Sequence, residues 1–89
     1  MTYSIYEHKE ATKFRKKHEK DKDLLKRILL KYNEIKENPH DSQFKQLKSS
    51  KCPQCKRARV GNYRIIFFVS KKDIEIVSII TRRDNYKKY

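Results

Sequence analysis

The sequence predicts an α+β fold, a small antiparallel β-sheet with two N-terminal helices packed on one face. Three observations carry this reading. Residues 56–70, KRARVGNYRIIFFVS, form two strand-like runs that meet at Gly61-Asn62, the pattern of a β-hairpin. Residues 74–81, IEIVSIIT, are a further strand rich in β-branched side chains. Ahead of both, residues 21–38 carry apolar side chains at helical spacing.

Taken in order, residues 2–7 (TYSIYE) set Tyr3 and Ile5 among polar neighbours and read as a first strand. Residues 8–18 (HKEATKFRKKH) read as a short amphipathic helix, with Ala11 and Phe14 on its packed side. In the second helix Leu25, Ile28, Leu29, Tyr32 and Ile35 form the expected buried stripe. Leu24 and Leu30 lie off that stripe and are assigned to core rather than to a partner surface. Asp21 or Asp23 supplies the N-cap, and Asn38-Pro39 ends the helix, because a residue before proline is pushed out of the helical region.

Residues 40–51 read as a polar loop anchored by Phe44 and Leu47. Cys52-Pro53-Gln54-Cys55 follows, and a C-x-x-C admits three readings: two free thiols, a local disulfide, or half of a zinc site shared between chains. The second ligand pair is missing and no helix opens at the motif, so free, incidental thiols are the leading reading and no metal centre is expected.

Gly61 is the only glycine, and glycine at the first position of a two-residue loop fits a type II′ turn. That loop sets Val60 opposite Tyr63, Arg59 opposite Arg64, Ala58 opposite Ile65 and Arg57 opposite Ile66. Opposed residues share a face, so Arg57, Arg59 and Arg64 point one way, and Ala58, Val60, Tyr63, Ile65 and Phe67 the other. Like charges opposed across strands cost roughly 0.2–1 kcal/mol per pair. A guanidinium cluster held at that cost suggests an anionic ligand, whose oxygens match the arginine fork. The bland alternative is a solvated basic face.

For the last strand, a Lys71-Lys72 turn sets Phe68 opposite Glu75, Ile66 opposite Val77 and Arg64 opposite Ile79. Ile65, Phe67, Val69, Ile74, Ile76 and Ile80 then face the helices. A slip of one residue would bury Glu75 unpaired, which is expensive. Ile66, Phe68, Val77 and Ile79 are left on the arginine face, where something must cover them. The same parity carries Arg83 onto that face. Tyr86 and Tyr89, three apart, fit one helical turn, either packed on the sheet or available for base stacking or proton transfer.

Composition sets the limits. Eighty-nine residues are read as one domain, 1–89, with 24 Lys and Arg against 11 Asp and Glu, a net charge of +13. That excess suits nucleic acid or an acidic protein. No apolar run reaches membrane-spanning length and no signal-peptide core precedes the domain, so no membrane partner and a cytoplasmic location are expected.

Strand, two helices, then Arg59, Gly61, Tyr63 and Arg64 as R-x-G-x-YR, and a last strand closing on Arg82, Arg83 and nearby Tyr86, together resemble toxins of the RelE/ParE superfamily. The resemblance implies helices on one sheet face and a concave basic face opposite. RelE-like members are metal-independent, cofactor-free ribonucleases that cut messenger RNA in the ribosomal A site, each silenced by an acidic, RelB-like antitoxin. Carried over by position, Arg64 and Arg83 would stabilise the scissile phosphate, and Tyr86 would stack or carry a proton. Arg57, Arg59, Arg82 and Tyr89 would hold RNA. Cys55 and Arg57 stand where some relatives place lysines, so the general base is left open among Tyr86, Tyr89 and a histidine. The alternative within the superfamily is a ParE-like inhibitor of DNA gyrase; such chains usually lack the full basic-plus-tyrosine set present here. A plain nucleic-acid-binding module is the remaining reading.

Overall fold

The computed structural model describes residues 3–47 and 52–81. The elements run β1 (Ser4–Glu7), α1 (Lys9–Lys17), α2 (Lys22–Glu37), β2 (Lys45–Gln46), β3 (Lys56–Val60), β4 (Tyr63–Ser70) and β5 (Asp73–Thr81). The five strands form one sheet in the order β1-β5-β4-β3-β2. Pairing is antiparallel throughout except that β1 lies parallel to β5. Both helices cover one face, α1 over β5 and β1, α2 over β3 and β1. The expected C-terminal helical turn falls in residues 82–89, outside the described residues.

Asp21 caps α2, its side chain accepting a hydrogen bond from the Leu24 amide at 3.2 Å, and Asn38 ends the helix as expected. The buried stripe differs from the predicted one. It runs Leu24, Ile28, Tyr32 and Ile35, while Leu25 is only half-buried. Leu29 and Leu30 are 53% and 54% exposed, so neither is core. Both stripes satisfy helical spacing. What selects Leu24 is its place in the main core with Val60, Ile28 and Tyr32, under the arriving edge of the hairpin.

The hairpin between β3 and β4 has the predicted register residue for residue. Gly61 has φ +56°, and Asn62 is not among the residues with positive φ, which is the type II′ pattern. The Lys71-Lys72 turn also forms, with Ser70 opposite Asp73, Phe68 opposite Glu75, and Lys71 held at φ +56°. Beyond Phe67 the predicted register fails. A β-bulge between Ile66 and Phe67 inserts one extra residue in β5, so Ile66 pairs with Ser78, Ile65 with Ile79, and Arg64 with Ile80. Ile79 therefore joins the helix-side core, and Ile80 joins Ile66 on the arginine face, the reverse of their predicted sides.

That face carries its own buried cluster: Leu47, Cys55, Ile66 and Ile80, with Phe68 and Val77 partly buried beside it. Phe44 and Leu47 are both anchors, but on opposite faces, Phe44 in the helix-side core. Cys52 and Cys55 are joined by a disulfide, which replaces the free-thiol reading. The cause is a tight turn in which the Cys55 amide donates to the Cys52 carbonyl at 3.1 Å, bringing the Cα atoms within 5.3 Å, inside bridging range.

One polar network ties β1 to both helices. Glu7 accepts hydrogen bonds from Arg15 Nε at 2.6 Å and from the Tyr32 hydroxyl at 2.7 Å, with Thr12 at 3.4 Å. Burial works to raise the Glu7 pKa, but the bonds from Arg15 and Tyr32 outweigh it and hold the carboxyl below its ordinary range. Burial, then the adjacent carboxylate, pushes the Tyr32 phenol well above its usual range. Among the described residues no helix is long and apolar enough to cross a membrane.

Candidate functional site

On the sheet face away from the helices, the strand pairings set cations directly opposite one another. Arg59 on β3 lies opposite Arg64 on β4. Lys45 on β2 lies opposite Arg57 on β3. Opposed residues project to the same side, so three adjacent strands carry four cations on one patch. Gly61 decides this. Its positive φ allows a two-residue loop, the loop fixes the register, and the register puts Arg57, Arg59 and Arg64 on one side.

The patch lines a cavity of about 540 Å³ bounded by Lys31, Gln43, Lys45, Arg57, Arg59, Gly61 and Arg64. Lys31 reaches it from α2, ion-paired with Glu34 at 3.1 Å and within 3.4 Å of Gln43. The lining holds five cationic side chains and no carboxylate. A concave site lined by one sign of charge focuses the field and raises the local concentration of the opposite ion. What this groove offers is multipoint binding of an anionic chain and fixed donors for negative charge that develops on it. A guanidinium group is a donor without an acceptor and a poor general base, so arginines here supply charge and orientation.

Arg57, Arg59 and Arg64 are thus gathered as the sequence predicts. Arg82, Arg83, Tyr86 and Tyr89 lie outside the described residues. The parity that assigned Arg83 to this face counted through Ile79 and Thr81, and the bulge shifts that count by one before Ile79. Glu75 stays out of the core as expected, on the same face as Phe68, with His8 Nε2 at 2.8 Å from its Oε1. Among the described residues no group of His, Cys, Asp and Glu is arranged to hold a metal ion.

Sequence reasoning missed Lys45, Gln43 and Lys31. A two-residue strand shows no alternation to read. Its one signal was the odd spacing of Phe44 and Leu47, since an extended chain sends residues three apart to opposite faces. Lys45 then falls on the Leu47 side, with the arginines.

Two helices laid over one face of such a sheet make the fold of the RelE/ParE toxin superfamily, and comparison bears out the fold. The structure of the YoeB dimer from Staphylococcus aureus superimposes with a TM-score of 0.76 at 21% identity, covering 90% of this chain and 97% of that one. The toxin–antitoxin complex RelBE2 from Mycobacterium tuberculosis gives a TM-score of 0.70 at 17% identity, covering 92% of this chain and 100% of the other. At these identities the likeness is one of fold. No curated protein sequence matches the chain. The family described as "ParE toxin of type II toxin-antitoxin system, parDE" matches residues 5–86. The chain belongs to that family and is a toxin of a type II toxin–antitoxin system.

Proposed function

We propose that residues 1–89 form a single toxin domain acting as a metal-independent, ribosome-dependent endoribonuclease that cuts messenger RNA in the A site. The observation that supports this most is the pair of opposed cation couples, Arg59 with Arg64 and Lys45 with Arg57, in one groove. Each couple sets like charges opposite one another, an arrangement that a polyanion lying in the groove would stabilise. In the proposed reaction the ribose 2′-oxygen attacks the adjacent phosphorus and the bond to the 5′-oxygen breaks. Negative charge builds on the phosphoryl oxygens, and fixed guanidiniums in a partly dry groove stabilise it.

In this reading Arg64 and Arg83 stabilise the scissile phosphate, the role of Arg83 resting on its place in the family motif and not on strand parity; Arg57 and Arg59 hold RNA and the leaving group, and Arg82 and Tyr89 extend the RNA contact. Tyr86 stacks on a base or carries a proton. The silencing partner is an acidic antitoxin, whose carboxylates meet the groove. Its apolar contacts fall on Phe68 and Val77, which are only partly buried, rather than on Ile66 and Ile79, which are already inside the protein. The expected location is the cytoplasm, where translating ribosomes are.

The second reading, gyrase inhibition by binding alone, is favoured by the family's own description. Purified toxin added in parallel to a translation extract and to a gyrase supercoiling reaction separates the two. The nuclease reading expects protein synthesis to stop while supercoiling continues; the reverse pattern overturns it.

A further inference from the structure

The arginine face has a second end. Tyr6, Glu75 and Phe68 lie in one row across β1, β5 and β4, because Tyr6 pairs with Glu75 and Glu75 pairs with Phe68. His8 closes the group. Its ring meets Tyr6 edge to face at 6.2 Å and Phe68 edge to face at 6.1 Å, and Nε2 lies 2.8 Å from Glu75 Oε1. A carboxylate only accepts, so Nε2 carries the hydrogen and Oε2 is a second acceptor. Tyr6 is 66% exposed, the most exposed large apolar side chain among the described residues. A cavity of about 310 Å³, lined by Ser4, Ile5, Tyr6, Asp73 and Glu75, opens beside it. Phe68 is four residues along β4 from Arg64, about 13 Å at the rise of a β-strand.

The geometry points to this corner as a nucleobase-binding subsite for the RNA strand that occupies the arginine groove; the inference rests on the ribonuclease reading above. Continuity argues for RNA rather than protein, since both ends lie on one sheet face and are separated by the length of a few nucleotides. Aromatic rings give bases a stacking platform, and a carboxylate beside them accepts from an exocyclic amino group. Adenine, cytosine and guanine carry such a group. Uracil has only an N3–H donor flanked by two carbonyl oxygens that repel the carboxylate. The subsite therefore takes a base with an amino edge and disfavours uracil at one position a few nucleotides from the cut.

The test is the rate and sequence context of cleavage in a translating extract programmed with messages randomised around the cut. The proteins compared are wild type, Tyr6→Ala, Tyr6→Phe and Glu75→Gln, with melting curves to confirm folding. Loss of one stacked base predicts about tenfold slower cutting for Tyr6→Ala, and Tyr6→Phe, which keeps the ring, should recover most of that loss. Glu75→Gln should lose the bias against uridine. Wild-type rate and context in both Tyr6→Ala and Glu75→Gln would overturn the subsite and leave the nuclease reading standing. Lost silencing by the antitoxin together with wild-type rate and wild-type sequence context would assign the corner to the protein partner alone, which also overturns it. If the wild-type protein cuts nothing, both readings fall.

Discussion

Arg59 and Arg64 face each other across two paired strands, and their repulsion makes a prediction that separates function from folding. Arg59→Ala should abolish growth arrest while leaving the melting temperature unchanged or slightly higher, because removing one of two opposed cations relieves roughly 0.2–1 kcal/mol. The turn residues behave differently. Gly61 sits at φ +56° with Arg27 Nη1 3.7 Å from where a Cβ would be, so space is adequate and conformation is the obstacle. Gly61→Ala should cost about 1 kcal/mol from the left-handed backbone alone. Lys71 occupies the same φ without being glycine, and Lys71→Gly should recover a similar amount. For a chain of this size about 1 kcal/mol moves the melting temperature by roughly 4–8 °C, so opposite shifts of these two variants are measurable by thermal melting. The lone glycine made the arginine cluster legible in the sequence, since one residue fixed a whole register.

Between elements, the Glu7 network locks β1 against α1 and α2, and its strength depends on pH. Because the folded pKa of Glu7 lies below its ordinary value, the stability it contributes is present above the unfolded value of about 4.3 and is lost as pH falls through the folded value. Glu7→Gln should cost about 2 kcal/mol near neutrality, since it weakens bonds to Arg15 and to the buried Tyr32 hydroxyl. Urea midpoints of wild type and Glu7→Gln should converge on acidification; a constant gap would show that charge on Glu7 is not what matters. The elements of the fold were readable from periodicity and turn chemistry, but their fine settings were not. Two stripes on α2 met the same spacing, and only packing under the hairpin chose Leu24 over Leu29. The bulge opposite Ile66 leaves no mark in IEIVSIIT, where isoleucines at 79 and 80 suit either face. Cys52 and Cys55 were ambiguous for a related reason: spacing alone cannot tell whether a turn brings the two Cα atoms together.

For the whole molecule, a net charge of +13 drives association with any polyanion, and the groove concentrates that charge on one side. Binding to single-stranded RNA should therefore weaken steeply with salt. Each phosphate contact removed should flatten the log–log slope by about 0.7, so Lys45→Ala changes it by one such step. An unchanged slope for Lys45→Ala would place β2 outside the interface. Lys45 and Lys31 escaped the sequence because they come from a two-residue strand and a helix that only the fold brings beside the hairpin. In the function proposed above, this groove aims the toxin at RNA. The most direct measurement maps new RNA ends after wild type or the Arg59→Ala, Arg64→Ala double variant is added to a translating extract. Fresh ends within codons are expected for wild type, and intact message for a folded double variant. Intact message with the wild-type protein at concentrations that arrest growth would contradict it.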